Sequence, residues 1–188
     1  MKRRTSRKGL KLPRLSKQQK IWIGVGVGVL AAVVVFGKKR IPPGYFELTY
    51  ADSTVQPRGM RNNNPGNIII NKNNPWEGVI PRESNTDGTF EQFKSYVYGV
   101  RAMIVLLKNY MKTKRTISEI IYTWNPGNPN YVRYVATRMG VSETAQLAAN
   151  KQTIKALTQA IADFENGIKS GNVPAVSDDM FEAAWSIA

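Results

Sequence analysis

The chain contains no histidine and no cysteine among its 188 residues. Those two absences exclude Ser-His-Asp and Cys-His nucleophiles, zinc sites of the usual ligand types and disulfide staples. Acid-base chemistry is left to carboxylates, Lys and Tyr, and no cofactor or metal is expected. Acids are also scarce, 13 against 27 Lys plus Arg, giving a formal net charge of +14. Such a charge points first to nucleic acid, so its distribution matters.

Twelve of the cations, and no acid, fall in the first forty residues, nine of them before Ile21 and three at Lys38, Lys39 and Arg40. The remaining 148 residues carry 15 cations and all 13 acids, a net of +2. The body of the chain is therefore nearly neutral. Its one basic cluster, Lys108, Lys112, Lys114 and Arg115, reads as a solvated helix face. Nucleic-acid contact is confined to the N-terminal tail.

Between the basic groups, Ile21 to Phe36 is an uncharged apolar run. As a helix it would be roughly 24 Å long, slightly short of a hydrocarbon core of about 30 Å, a gap that Gly37 and snorkelling lysines can close. The sequence thus predicts a basic disordered tail (1–20), a retained single transmembrane helix (21–37) and a linker (38–57) containing Pro42, Pro43 and Gly44. The excess of cations before the span predicts the N-terminus inside and residues 41–188 on the outer or periplasmic side of a virion or host inner membrane. Anionic lipid headgroups are the expected partner of the tail.

Residues 58–170 read as a mainly α (α+β) domain. Arg58 to Gly88 is dense in Asn, Gly and Pro around a β-branched run at 68–70, which predicts short strands or irregular loops braced by side chains. Helical spacing follows from Ser95 to Met111, Thr116-Ile117-Ser118-Glu119 is a capping-box pattern, Gly140 is placed to cap a further helix, and Lys151 to Phe164 is amphipathic. A segment at 171–188 should hold a last short helix, with Ser177 as its N-cap.

Several motifs in this region together resemble a known family: Arg58-Gly59-Met60-Arg61-Asn62-Asn63-Asn64-Pro65-Gly66-Asn67-Ile68, Trp76-x-Gly78, Asp87-Gly88-x-Phe90, Gly99-Val100-Arg101-Ala102 and Tyr131-Val132 through Met139-Gly140. They are similar to the RGxRNxNPGN family of phage virion proteins, the structural protein P5-like group, which is placed with lysozyme-like, virion-associated peptidoglycan-degrading proteins. The likeness covers about Arg58 to Gly167. It departs at Trp124 to Tyr131, where relatives have a longer loop carrying an acid that is missing here.

The resemblance implies a lysozyme-like helical domain, with peptidoglycan as partner and other virion proteins as neighbours. It also implies glycan cleavage, of lytic transglycosylase or muramidase type, in host entry or lysis. The alternative is a non-catalytic virion structural or wall-binding protein. Two carboxylates are candidate catalytic groups. Glu165, in Phe164-Glu165-Asn166-Gly167, is similar to the helix-ending Glu of lytic transglycosylases, although there the Glu precedes the substrate-lining loops. Its other reading is an exposed last-turn residue. Asp87 occupies a family position in an Asp-Gly turn, which is also its structural explanation. Asn62, Asn63, Asn64 and Asn67, with Trp76 and Trp124, offer amides and flat apolar faces suited to amino sugars, or equally a loop brace and core filling. Arg58, Arg61 and Arg101 are candidates to pair with acids such as Asp87.

Overall fold

Local signals decide most of the helices. The computed structural model describes residues 56–169 and 172–188. Among these there are six α-helices: α1 (Arg58–Arg61), α2 (Tyr96–Tyr110), α3 (Ile117–Trp124), α4 (Pro129–Met139), α5 (Lys151–Glu165) and α6 (Asp178–Ser186), with a 3₁₀ turn at Arg82–Ser84. Four of the six start at a side-chain cap. Thr116 and Glu119 form a reciprocal capping box for α3, Asn128 precedes Pro129 at α4, and Asn150 and Ser177 accept backbone N–H groups at α5 and α6. Each cap satisfies donors that a helix start leaves orphaned. Gly140 ends α4 at φ 67°, the left-handed conformation suited to glycine.

Helix α2 is the centre of the packing. Val97, Val100, Met103, Ile104 and Leu107 are fully buried on it, and it contacts both α5 and α6. Helix α4 packs on α3 and α5. A buried carboxylate, Asp163, ties this side together: it accepts the Ala175 N–H at 2.8 Å and pairs with Arg138 at 3.3 Å.

The Asn-rich region corrects the expected fold class. No strand forms among the described residues, and the expected short β region is reduced to two isolated antiparallel bridges, Ile69 with Phe90 and Val79 with Phe93. The physical reason lies in the side-chain amides. Asn64 donates to the carbonyls of Ile68 and Glu91, Asn85 to that of Phe90, and Asn63 to that of Phe93. At Phe90, Glu91 and Phe93 the side-chain amides stand in for the backbone donors of a ladder, whereas the Ile68 carbonyl also accepts the Glu91 N–H. The pairing is therefore spread over side chains and stops after single bridges.

The expected transmembrane helix is corrected as well. No helix among the described residues is long and apolar enough to cross a membrane. The longest, α2 and α5, have 15 residues each, against about 20 for a span. Ile21–Phe36 and its basic flanks lie outside the described residues.

The Asn motif is fixed onto α2 by a close backbone approach. A Cβ on Gly99 would lie 2.0 Å from the Asn63 carbonyl oxygen. Only glycine lets the loop seat there, and that seating aims the rest of the motif toward the end of α5.

Candidate functional site

Glu165 is the last residue of α5. Its Oε1 accepts a hydrogen bond from the Tyr131 hydroxyl at 3.0 Å, and its Oε2 accepts from Asn67 Nδ2 at 2.9 Å. Three distant parts of the chain thus meet at one half-buried carboxylate: the Asn motif, α4 and α5.

Each partner is itself held. Tyr131 is completely buried, and its ring stacks on Phe164 with centroids 3.8 Å apart. Burial, and then the charge of Glu165, push the phenol far above its ordinary range. Tyr131 therefore stays protonated and is an obligate donor. Asn67 sits at φ 46°, a left-handed conformation that asparagine tolerates better than most residues. Next to the carboxylate, Asn166 donates to the carbonyls of Pro65 and Ala162, both at 2.8 Å, locking the helix end to the motif.

The amide oxygens of Asn67 and Asn166 are buried and accept no hydrogen bond. Both point at Gly59, where a Cβ would lie 2.9 Å and 2.7 Å from them. The missing side chain at Gly59 is what gives the two amides room beside Glu165.

Asp87 is placed differently. It receives a two-point contact from Arg58, Nε and a terminal nitrogen each at 2.7 Å, together with Asn62 Nδ2 at 2.7 Å. It also caps its own turn, accepting the N–H groups of Thr89 and Phe90. The Arg58 guanidinium, followed by Asn62 and the turn amides, holds its carboxyl well below the usual carboxylate range. So bound, Asp87 braces α1 against the 85–90 turn and shares no hydrogen bond with Glu165.

The Asn residues divide in the same way. Asn62 bridges Asp87 and Gln92, Asn63 holds the Phe93 carbonyl, and Asn64, fully buried, closes the loop through Ile68 and Glu91. Asn67 alone among the four reaches Glu165. Trp76 and Trp124 are partly buried against the core, Trp124 edge-on to Tyr110 at 6.3 Å. Of the three arginines, Arg58 pairs with Asp87, Arg101 with Glu77 at 3.0 Å, and Arg61 donates to the Gln56 carbonyl.

Sequence reasoning missed Tyr131 and Asn166 as site residues. Tyr131 was legible only as part of the apolar face of a helix, and Asn166 only as a helix terminator. Among the described residues no group of three or more carboxylate side chains gathers to hold a metal ion.

No protein-family model matches the chain. It is 37% identical over 118 residues to Protein P5 of Pseudoalteromonas phage PM2, an alignment covering 58% of this chain and 71% of that protein.

Proposed function

From the premise that this chain belongs to the phage Protein P5 family, we propose that it is a virion-associated protein whose folded domain cleaves the glycan of peptidoglycan, with Glu165 as the acid. The observation that supports this reading is the suspension of Glu165 between Tyr131 and Asn67 at the end of a helix. The obligate Tyr131 donor keeps Oε1 an acceptor, so a proton held by Glu165 resides on Oε2, beside Asn67. From there it passes to the glycosidic oxygen as the bond to the sugar's anomeric carbon breaks. The sugar's own hydroxyl then attacks that carbon and gives its proton back to the carboxylate. One carboxylate suffices for this route. Hydrolysis with two carboxylates would require a second free one at a defined separation, and Asp87 is committed to Arg58. Lytic transglycosylase chemistry is therefore favoured over muramidase chemistry.

A second reading, a wall-binding or structural virion protein without catalysis, is favoured by one feature. Both oxygens of Glu165 already accept hydrogen bonds from fixed donors of the protein itself, as those of the bracing Asp87 do. In either reading the protein works at the virion and host envelope, with peptidoglycan and other virion proteins as partners. The basic first forty residues serve anionic lipid headgroups, with nucleic-acid contact limited to that tail.

The test is release of soluble fragments from purified peptidoglycan by the full chain. The wild type should yield products ending in an anhydro sugar, and Glu165→Gln should lower the rate by about 10²–10⁴-fold, the usual contribution of a positioned proton donor. A wild type that sediments with the wall yet releases nothing sinks the enzyme and leaves the binding module.

A further inference from the structure

A second carboxylate is better placed to meet a ligand than Asp87. Glu91 is 7% exposed and sits on the segment whose backbone pairs with Ile68 on one side, while its neighbour Gln92 pairs with Ile80 on the other. Its carboxylate accepts one hydrogen bond, from the Asn71 N–H, and that is long at 3.2 Å. The second oxygen accepts none from the described residues. Burial pushes its carboxyl up from the ordinary glutamate range, with the Asn71 amide and the charge of Arg82 opposing. A shielded carboxylate with so few donors is under-compensated, and a donor or positive charge from outside relieves it.

The surroundings define what that outside group is. Glu91 lines a cleft of about 140 Å³ together with Asn71, Lys72, Asn85, Arg82 and apolar Ile70 and Val79. Lys72 and Arg82 are exposed and make no salt bridge among the described residues. One shielded acid and two unpaired cations in a small space complement a group that carries both charges. The volume is well below the roughly 300–1,000 Å³ of a pocket that encloses a drug-sized ligand. It suits the end of a longer chain, with aliphatic walls for a methylene stem.

We propose that this cleft binds the zwitterionic end of an amino-acid side chain, its ammonium on Glu91 and its carboxylate on Lys72 and Arg82. The substrate class is the diamino acid of a peptidoglycan stem peptide, which presents such an end. That class rests on the wall-directed reading above, whereas the charge pattern of the cleft does not. The cleft would hold the peptide while Glu165 addresses the glycan.

The experiment is a calorimetric and NMR titration of the full chain with meso-diaminopimelate. Saturable binding is expected, with shifts at the Asn71 and Glu91 amides. Glu91→Gln keeps the shape and the acceptor for Asn71, and should weaken binding at least tenfold. Lys72→Ala and Arg82→Ala, at exposed positions that leave folding intact, should each weaken it severalfold. Cadaverine, which carries ammonium groups and no carboxylate, should bind more weakly than diaminopimelate. No saturation, equal binding of cadaverine, or full binding by Glu91→Gln overturns the proposal. Binding without fragment release would remove the glycan-cleaving reading and keep the cleft. Fragment release without binding would do the reverse.

Discussion

Two carboxylates only four residues apart in sequence, Asp87 and Glu91, respond to pH with opposite signs. Asp87 is stabilised as the anion, so its contribution is fully present above the unfolded value of about 3.9 and is lost as pH falls through the folded value. Asp87→Asn should therefore destabilise the protein at neutral pH by about 1–2 kcal/mol, discounted for the half-exposed Arg58 partner, and the deficit should shrink in acid below pH about 4. Glu91 is raised, so its favourable share is fully present below about 4.3 and is lost as pH rises through its folded value. Glu91→Gln should match the wild type in acid and melt a few degrees higher at neutral pH. Thermal melts from about pH 2.5 to about pH 8, which span the ordinary carboxylate values of about 3.9 and 4.3, check both signs. A Glu91→Gln variant less stable than wild type at neutral pH would count against an under-compensated anion.

The elements were legible where their signals are local. The α3 capping box depends on Thr116 and Glu119, three residues apart, and Thr116→Ala should remove about 1 kcal/mol, readable by urea titration. The caps at Asn150 and Ser177 are equally short-range. By contrast, α1 was missed because its four residues, Arg58 to Arg61, are too few to show a periodic apolar face. The β expectation failed because a β-branched run at 68–70 says nothing of Asn64 and Asn85 capturing the carbonyls of Glu91 and Phe90 on the facing segment. Gly99 illustrates a constraint that spans both kinds of element. Gly99→Val would drive a side chain into the Asn63 carbonyl and should cost about 3 kcal/mol or more, or displace the motif from α2. The NMR signals of Asn63, Asn64 and Asn67 would report such a displacement.

At the scale of the whole molecule, the sequence distinguished a strongly basic first forty residues from a nearly neutral body and named Glu165 and Asn67 separately. It had no means of joining them. Their contact crosses 98 residues, and that of Tyr131 with Glu165 crosses 34, so neither leaves a periodic or motif signature. Asp87 was legible as a turn residue, and its pairing with Arg58 was anticipated from charge alone. The same long reach governs when the site exists. A ribosome adding about 5–20 residues per second delivers Asn67 several seconds before Glu165, and Asn166 closes on Pro65 across 101 residues. During that interval Asn67 has no Glu165 to hold, and the site is incomplete. Completion of α5 is therefore the step that assembles the site, and a chain cut before Lys151 lacks both Glu165 and Asn166.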